Sequence, residues 1–591
     1  MENIKALQNT ATRLRVKSLK ATTAAGSGHP TSCLSAADLL SCLFFSVFKK
    51  EDEFILSKGH AAPLLYAVYA ESGVIKEKEL LNLRKITSKL EGHPTPLMPF
   101  VKVATGSLGQ GLSIGVGMAL AKKLEKKKGK IYVLLGDGEC AEGSIWEAAN
   151  LASYYQVNNL CAIVDVNRLG QSQQTMHGHH LQMYEKKFQS FGWSTKIIDG
   201  HHIPSILKAL HHAKSAKNPL VILAKTKKGK GISFLEDKEN WHGKALSEEE
   251  LTRALRELPF EKGKLRAQIL SKKINYSFID FKRNKYPQNE RVSTREAFGK
   301  ALIPLGEKNK KIIVLDGDVK NSTRTEYFFE AFSQRSFQTF IAEQNMVGMA
   351  IGFSTQGFIS IVSTFAAFLT RAHDFIRMAA YSKANIKFVG SHAGVHVGED
   401  GPSQMGLEDI AMFLSVPHAV ILYPCDAVAT EYCTREMTKQ KGIFYLRTTR
   451  GKTPILYKNN EKFPIGKLKV LKKSRKDAAL IVAAGITVHE ALKAYEILAK
   501  KNIFVRVIDL YSLQPVDKKE LSRNARECQN KVIVVEDHYL NGIGSVVASV
   551  VGKITHLYVK DIPRSGKPEE LLQKYGIDAS AIMKVVEKNS F

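Results

Sequence analysis

The sequence predicts an α/β protein of three domains, with mainly parallel, doubly wound sheets and a smaller C-terminal α/β domain. Three observations carry that prediction. At 591 residues the chain exceeds what one hydrophobic core can organise. Short Val/Ile/Leu-rich runs alternate with helical patterns along its whole length, and continuous apolar runs mark strands covered on both faces. The composition also shifts twice, which divides those runs into groups.

The strand candidates come in order: "IYVLLGDG" from 131, "LCAIVDVN" from 160 and "PLVILAKT" from 219; then "KIIVLDGD" from 311, "IKFVGSH" from 386 and "AVILYP" from 419; and finally "AALIVAAG" from 478, "FVRVIDL" from 504 and "KVIVVED" from 531. Residues 247–290 are highly charged and carry no buried-strand pattern, so they read as a helix plus a linker. A Pro-Gly turn within 459–470 opens a new alternation. The expected domains are therefore 1–246, 291–463 and 464–591. The runs "YVLLGDGE" and "IIVLDGDV" both end in an acidic Gly turn, which suggests two related sheets.

The chain carries 86 Lys+Arg against 57 Asp+Glu, a formal charge of +29. Such a balance favours anionic partners. No arginine-rich arm, zinc-finger spacing or aromatic RNA-binding signature accompanies it, so nucleic acid is not the expected partner and phosphorylated metabolites remain. Seven scattered cysteines without a C-x-x-C pair read as reduced thiols. The N-terminus reads as an amphipathic helix rather than a signal peptide, and no apolar run approaches the roughly 18 residues of a membrane span. A soluble cytoplasmic protein is expected, with no membrane partner.

The turn Gly136-Asp137-Gly138-Glu139 ends a buried strand with two carboxylates and no Lys-Ser/Thr pair behind them. As a phosphate loop it has the wrong sign of charge. Asn167 follows Asp137 by thirty residues, with one helical stretch and one buried strand between them. A single βαβ crossover would bring both side chains to the carboxyl edge of one sheet, where open α/β sheets bind ligands. A carboxylate and an amide oxygen converging there suit a hard cation such as Mg²⁺ or Ca²⁺, which can bridge to a diphosphate.

This GDG…N arrangement, together with "TTAAGSGHPTS", "LSKGHAAPLLYA", "ATGSLGQGL", "VDVNRLGQS", "WHGK", "IAEQNMVG", "STFAAFLTRA", "GSHAGVHVGEDGPSQM" and "PRSGKPEELL", closely resembles the transketolase family over essentially the full chain, and animal-type members most. The resemblance implies a diphosphate-binding domain, a pyrimidine-binding domain and a C-terminal domain. It also implies a thiamine diphosphate cofactor with one Mg²⁺ or Ca²⁺ per site, and a homodimer with active sites at the subunit interface. The implied reaction belongs to the non-oxidative pentose phosphate pathway: reversible transfer of a two-carbon ketol unit, by way of a thiamine diphosphate ylid, from a ketose phosphate to an aldose phosphate. The ketoses would be xylulose 5-phosphate or sedoheptulose 7-phosphate, and the aldoses ribose 5-phosphate, erythrose 4-phosphate or glyceraldehyde 3-phosphate.

By the same resemblance, Asp137, Asn167 and the Leu169 carbonyl hold the metal, and Gly138 lets the backbone approach the cofactor closely. Glu343 activates the aminopyrimidine, with Phe365 and Phe368 as an apolar setting that would keep its proton and Phe368 as the ring stacked on the pyrimidine. His60 reaches the diphosphate region, while His29, His93 and His242 face the sugar's hydroxyls and carbonyl oxygen, with His29 and His242 the foremost catalytic candidates. Ser32, Gly106, Ser107, Leu108, Gln171, Lys228 and Gln404 surround the cofactor. Arg295, Ser322, His392 and Arg447 take the substrate's phosphate, for which arginine's fork is suited, and Asp400 reads a hydroxyl.

Gln404 stands where some members carry histidine, which implies hydrogen bonding rather than proton transfer. The connection before Lys58 and the linker at 250–290 are shorter than is common in the family. Glu139, His373 and His396 receive no role. Two other readings stay open at this point: a 1-deoxyxylulose-5-phosphate synthase-like enzyme, and a catalytically silent regulatory paralogue.

Overall fold

Continuous apolar runs become strands because two helical layers cover both sheet faces, leaving no position on those strands that needs a polar side chain. A computed structural model describes residues 3–589 except Lys262, Lys264 and Lys272. Two compact units emerge: the first is Met1–Ile274 with the short pieces Ile351–Gln356 and Tyr381–Lys383, and the second holds the rest.

The first unit is built on β1 (Glu53–Leu56), β2 (Ile131–Gly136), β3 (Leu160–Val166), β4 (Ser194–Asp199) and β5 (Leu220–Lys225), in the order β1-β2-β3-β5-β4, with every pair parallel. Every residue of β2 and β3 is buried, whereas the edge strand β4 is half-exposed throughout. The pairings Gly136↔Asp165 and Val166↔Lys225 make β2, β3 and β5 end level. Asp137, Asn167 and Thr226 therefore emerge side by side at the carboxyl edge. The helix Gly111–Leu124 packs on β2, while Ile4–Ala24 packs on Pro30–Cys42 and on Ala62–Glu71.

One sequence expectation needs correction. Pro30–Val47, a helix closing in a π-turn, is long and apolar enough to cross a membrane by length and composition, and 94% of it is buried inside the protein. Its apolar faces are spent on the core, where Leu34, Leu39, Leu40 and Leu43 lie.

The second unit opens with β6 (Arg291–Ser293), followed by β7 (Ile312–Asp316), β8 (Ser336–Gln338), β9 (Ile359–Phe365), β10 (Ile386–Ser391), β11 (Val420–Leu422), β12 (Ile443–Arg447) and β13 (Lys452–Pro454). Next come β14 (Lys469–Lys472), β15 (Asp477–Ala483), β16 (Phe504–Asp509), β17 (Ser512–Gln514), β18 (Val532–Val535) and β19 (Thr555–Leu557). A seven-stranded sheet runs β17-β11-β12-β10-β9-β7-β8 and a five-stranded one β14-β16-β15-β18-β19; β6 and β13 form a separate ribbon. Both larger sheets are parallel except for the edge strands β17 and β14.

The third expected domain packs closely on the second. It lends β17 to the seven-stranded sheet, and one hydrophobic core joins Val314 and Ile361 to Ile481, Val507 and Ile533. The linker begins with the helix Glu248–Arg256, capped by Ser247 and Glu250, and then runs without regular structure among its described residues. Its last part is strapped down: Phe281 and Tyr286 enter the core, and the Tyr286 hydroxyl donates to buried Glu431 at 2.8 Å.

Candidate active site

Asp137 leaves β2 and accepts from Arg168 N at 2.8 Å, Thr175 Oγ1 at 2.9 Å and Gly138 N at 3.0 Å. Burial and the neighbouring Asp165 push its carboxyl above the usual range, so a cation beside it would be strongly favoured. Asp165 itself is fully buried, and burial alone would raise it. The Lys58 ammonium at 2.5 Å, with Ser35 Oγ at 2.6 Å and Thr226 Oγ1, outweighs burial and holds it low.

Asp165 also settles the orientation of Asn167. An ionised carboxylate only accepts, so the Asn167 amide nitrogen turns toward Asp165 Oδ2 (3.3 Å) and Ser35 Oγ (3.4 Å), leaving Oδ1 on the other side. That oxygen accepts from Leu169 N at 3.3 Å; Asp137, Asn167 and Leu169 border one cavity, and a carboxylate, an amide oxygen and a carbonyl are the donor types that suit a hard divalent cation. Gly138 fits a ligand as well. It borders the cavity, and a Cβ there would meet no protein atom nearer than Thr175 Cγ2 at 3.4 Å, so nothing in the fold itself demands glycine.

These groups line one cavity of about 350 Å³ with Ser32, Gly106, Leu108, Gln171, Lys228 and the four histidines. Ser107 lies between two lining residues without bordering the cavity itself. The ring of His29 stands 4.9 Å from His242, 5.3 Å from His60 and 6.3 Å from His93. Burial, reinforced by nearby cations, lowers His29 to about 4 and His242 to about 3; it lowers His93 too, and His60 well below its ordinary value. At neutral pH the cluster is therefore uncharged, able to donate from one ring nitrogen and accept at the other. His29 Nδ1 is buried without a partner, as an atom awaiting a ligand would be. Lys228, lowered to about 8 by burial and by Lys58, donates to Leu169 O at 2.9 Å, to Gly170 O at 3.1 Å and to His242 Nδ1 at 2.7 Å.

Two residues at this site were missed in the sequence, and a third, Glu139, was named there without a role. Lys58 and Thr175 carried no signal beyond their nearness to His60 and Asn167. Glu139 is buried and accepts from Ser57 Oγ, Gly109 N (2.9 Å) and Gly136 N (3.0 Å), so it fixes the turn that presents Asp137.

In the second unit, Glu343 opens the helix Glu343–Ser354, is 4% exposed and lies 3.6 Å from Arg371 Nη1. Its setting is thus a buried helix N-terminus beside an arginine. Phe365, at the end of β9, stacks on Phe368 at 5.0 Å and on His392 at 3.8 Å. Gln404, half-buried, accepts from Ser403 Oγ.

A cluster of cations lies beyond β10 and β12. Arg295 donates to Ser322 O at 2.9 Å and keeps a buried Nε without a partner; burial, Arg324 and Arg450 lower it to about 10. His392 is lowered to about 3 by burial, Arg295 and Arg450. Arg450 reaches Asp400 at 3.2 Å. Cations gathered closely enough to lower Arg295 favour an anion beside them.

Arg447 does not belong to that cluster, contrary to the sequence expectation. As the last residue of β12 it is 0% exposed, with Nε on Asp409 at 2.7 Å and Nη1 on Asp537 at 3.0 Å. Wholly buried, it offers no face to a solvent-borne phosphate. The arginine that faces the cluster is Arg450, beyond the strand end. His396 packs on neighbouring Gly451, and His373 opens the helix His373–Tyr381.

Comparison with known proteins agrees with this geometry. Residues 6–284 match the family model described as transketolase, thiamine diphosphate binding domain, residues 290–455 the transketolase pyrimidine binding domain, and residues 466–582 the transketolase C-terminal domain. Transketolase from Homo sapiens is 47% identical over 616 residues, spanning 99% of this chain and 97% of that protein. Transketolase-like protein 2 from Homo sapiens is 42% identical over 611 residues, spanning 99% and 98%. A crystal structure of transketolase from Campylobacter jejuni superposes with a TM-score of 0.90 at 25% identity, covering 99% of this chain and all of that one. An oxygen-donor pair beside a neutral histidine cluster, on a chain matched from end to end in this way, leaves one assignment: the protein belongs to the transketolase family of enzymes.

Proposed function

We propose that the chain reversibly transfers a two-carbon ketol unit from a ketose phosphate such as xylulose 5-phosphate to an aldose phosphate such as ribose 5-phosphate. The observation that carries the proposal is the group of four uncharged imidazoles sharing one cavity with Asp137 and Asn167. Thiamine diphosphate, when bound, supplies a carbon able to add to the ketose carbonyl and an electron sink for the two-carbon fragment.

The chain's own residues do the rest. Asp137, the Asn167 amide oxygen and the Leu169 carbonyl would hold Mg²⁺ or Ca²⁺, and Lys228 adds positive charge beside the diphosphate. Glu343 would hold a proton at the pyrimidine N1′, and Phe368 would offer its ring to the pyrimidine face. His29, His93 and His242 donate to the sugar's carbonyl oxygen and take protons from its hydroxyls, which neutral rings can do without a change of charge before substrate arrives. Arg295, Ser322, His392 and Arg450 take the substrate phosphate, and Asp400 accepts from a hydroxyl.

The first unit carries the diphosphate-side residues and the second carries Glu343 and the phosphate cations. We assign the working form to a homodimer in which complementary units of two subunits build each site. A coupled assay with xylulose 5-phosphate and ribose 5-phosphate should show turnover that needs both thiamine diphosphate and a divalent cation, and no condensation product should form from pyruvate. Mixed dimers of Asp137→Ala and Glu343→Ala chains should regain part of the activity, since one of their two sites is intact. Verified heterodimers without activity would sink the shared-site assignment.

A further inference from the structure

The loop 393–406 follows His392 and carries Asp400 and Gln404. Its own bonds make short local turns (Gly401 N donates to Gly398 O at 3.3 Å, Gln404 N to Gly401 O at 3.2 Å and Met405 N to Pro402 O at 3.2 Å) and close its ends, where Gly394 N donates to Gly406 O at 2.8 Å and Gly406 N to His392 O at 3.1 Å. Much of its support comes from the C-terminal domain. Asp537, just past β18, accepts Arg447 Nη1 at 3.0 Å and the Tyr423 hydroxyl at 2.8 Å. Arg447 Nη2 then bridges the Asp537 carbonyl, at 3.1 Å, to the Gly406 carbonyl, at 2.8 Å.

Three of the loop's four glycines are fitted to the same domain, while Gly406 is fitted to Ala366 and Ala367. A Cβ on Gly394 would stand 1.7 Å from Asp537 Oδ2, and one on Gly398 would stand 3.3 Å from Pro568. Gly401, next to Asp400, has φ +85°, and a Cβ there would stand 2.7 Å from Ser565 Oγ. Asp400 is thus bracketed by two glycines that rest on residues 565–568. Arg450, on Val397 O at 2.8 Å and Asp400 Oδ2 at 3.2 Å, ties this stretch to the pyrimidine-binding domain's own anion cluster, and Ala393 N donates to Thr448 O at 3.3 Å.

We infer that the C-terminal domain is a positioning element for substrate recognition: Asp537, acting through Arg447, and residues 565–568, acting through Gly398 and Gly401, set where Asp400 stands. The inference rests on the reading of Asp400 as the carboxylate that accepts a sugar hydroxyl. No C-terminal residue is assigned contact with substrate. The domain acts by fixing where the loop's short turns stand.

Two variants test it. Asp537→Asn keeps the shape and removes one of the two charges that anchor Arg447. Ser565→Val enlarges an exposed residue against Gly401 and leaves the core untouched. Each should raise KM for the ketose phosphate about tenfold, the scale of coupling from residues that do not touch the ligand, with kcat changed much less. Thiamine diphosphate affinity, read by quenching of intrinsic fluorescence, should stay at the parent value. Asp400→Ala should raise KM as well, and adding Ser565→Val to it should raise KM no further, because both act at one place.

An unchanged KM in both folded variants would overturn the inference, as would effects of Asp400→Ala and Ser565→Val that multiply. If Asp400→Ala leaves KM unaltered, the substrate reading of Asp400 falls. Hydrogen exchange then decides the positioning claim: protection across 394–406 should drop in Asp537→Asn while that of β2 and β3 holds, and equal protection in the loop would refute it. If Asp537→Asn does not fold, Ser565→Val carries the kinetic and exchange tests alone.

Discussion

Arg447 and Arg450 stand three residues apart, and the structure gives them separate work that a pair of substitutions can distinguish. Arg447 is wholly buried between Asp409 and Asp537. Replacing it with methionine leaves two buried carboxylates without a counter-charge, which costs about 3–5 kcal/mol. At the usual slope for large domains the melting midpoint should fall by roughly 6–20 °C. Arg450 is 36% exposed and pairs with Asp400, so Arg450→Ala should move the midpoint little. Its loss should instead appear in binding, because a charge-assisted bond to phosphate is worth about 1.5–3 kcal/mol, roughly 10- to 150-fold, with the lower end expected at a partly screened site.

The assay is steady-state KM for xylulose 5-phosphate beside KM for unphosphorylated xylulose, with melting curves for each variant. Loosening of the loop near Asp400 would affect both donors alike. Loss of a phosphate contact raises KM for the phosphorylated donor only. An unchanged ratio of the two KM values in Arg450→Ala, or an Arg447→Met protein with the parent's midpoint, would refute the division of labour.

Two pH effects follow from the buried titrating groups. Because burial lowers His29 to about 4 and His242 to about 3, kcat/KM should show no histidine limb near 6.5 and should fall only as pH drops toward those values; a limb near 6.5 that His29→Asn abolishes would contradict this. Asp509 runs the other way: burial raises it from 3.8 to about 7, where it accepts from the Tyr457 hydroxyl at 2.7 Å. The native state then binds more protons than the unfolded chain between those values, so stability falls as pH rises through that window. Asp509→Asn removes the penalty, up to about 4 kcal/mol at about 1.4 kcal/mol per unit, so its melting midpoint should exceed the parent's at pH 8 and match it at pH 4. Equal midpoints at both pH values would show that the carboxyl titrates normally.

Much of the fold was legible in the sequence, because β2, β3 and β5 are continuous apolar runs and periodicity is a local property. The edge strands were not legible. β4 is half-exposed and mixes Ser, Thr and Lys with Ile, and β17 has three residues whose partner lies far away in the chain. Pro30–Val47 went unremarked as a membrane-length segment, since Ser, Thr and Asp punctuate it without lowering its average hydropathy below the range of a span.

At the site, the Asp137–Asn167 spacing implied a shared sheet edge through one crossover, and the level strand ends supply that edge. Lys58 escaped notice because a lone lysine between serine and glycine carries no periodic signal, and its meaning lies in Asp165, more than a hundred residues away.

Residue order alone therefore settled the class of fold, the placing of Asp137 and Asn167 after neighbouring strands, and the family, all of which rest on short-range pattern. Tertiary packing decided which arginine meets solvent, which way the Asn167 amide points, and that the histidines are uncharged. The reason is common to all three: desolvation and charge pairing act through space, among groups that the sequence separates.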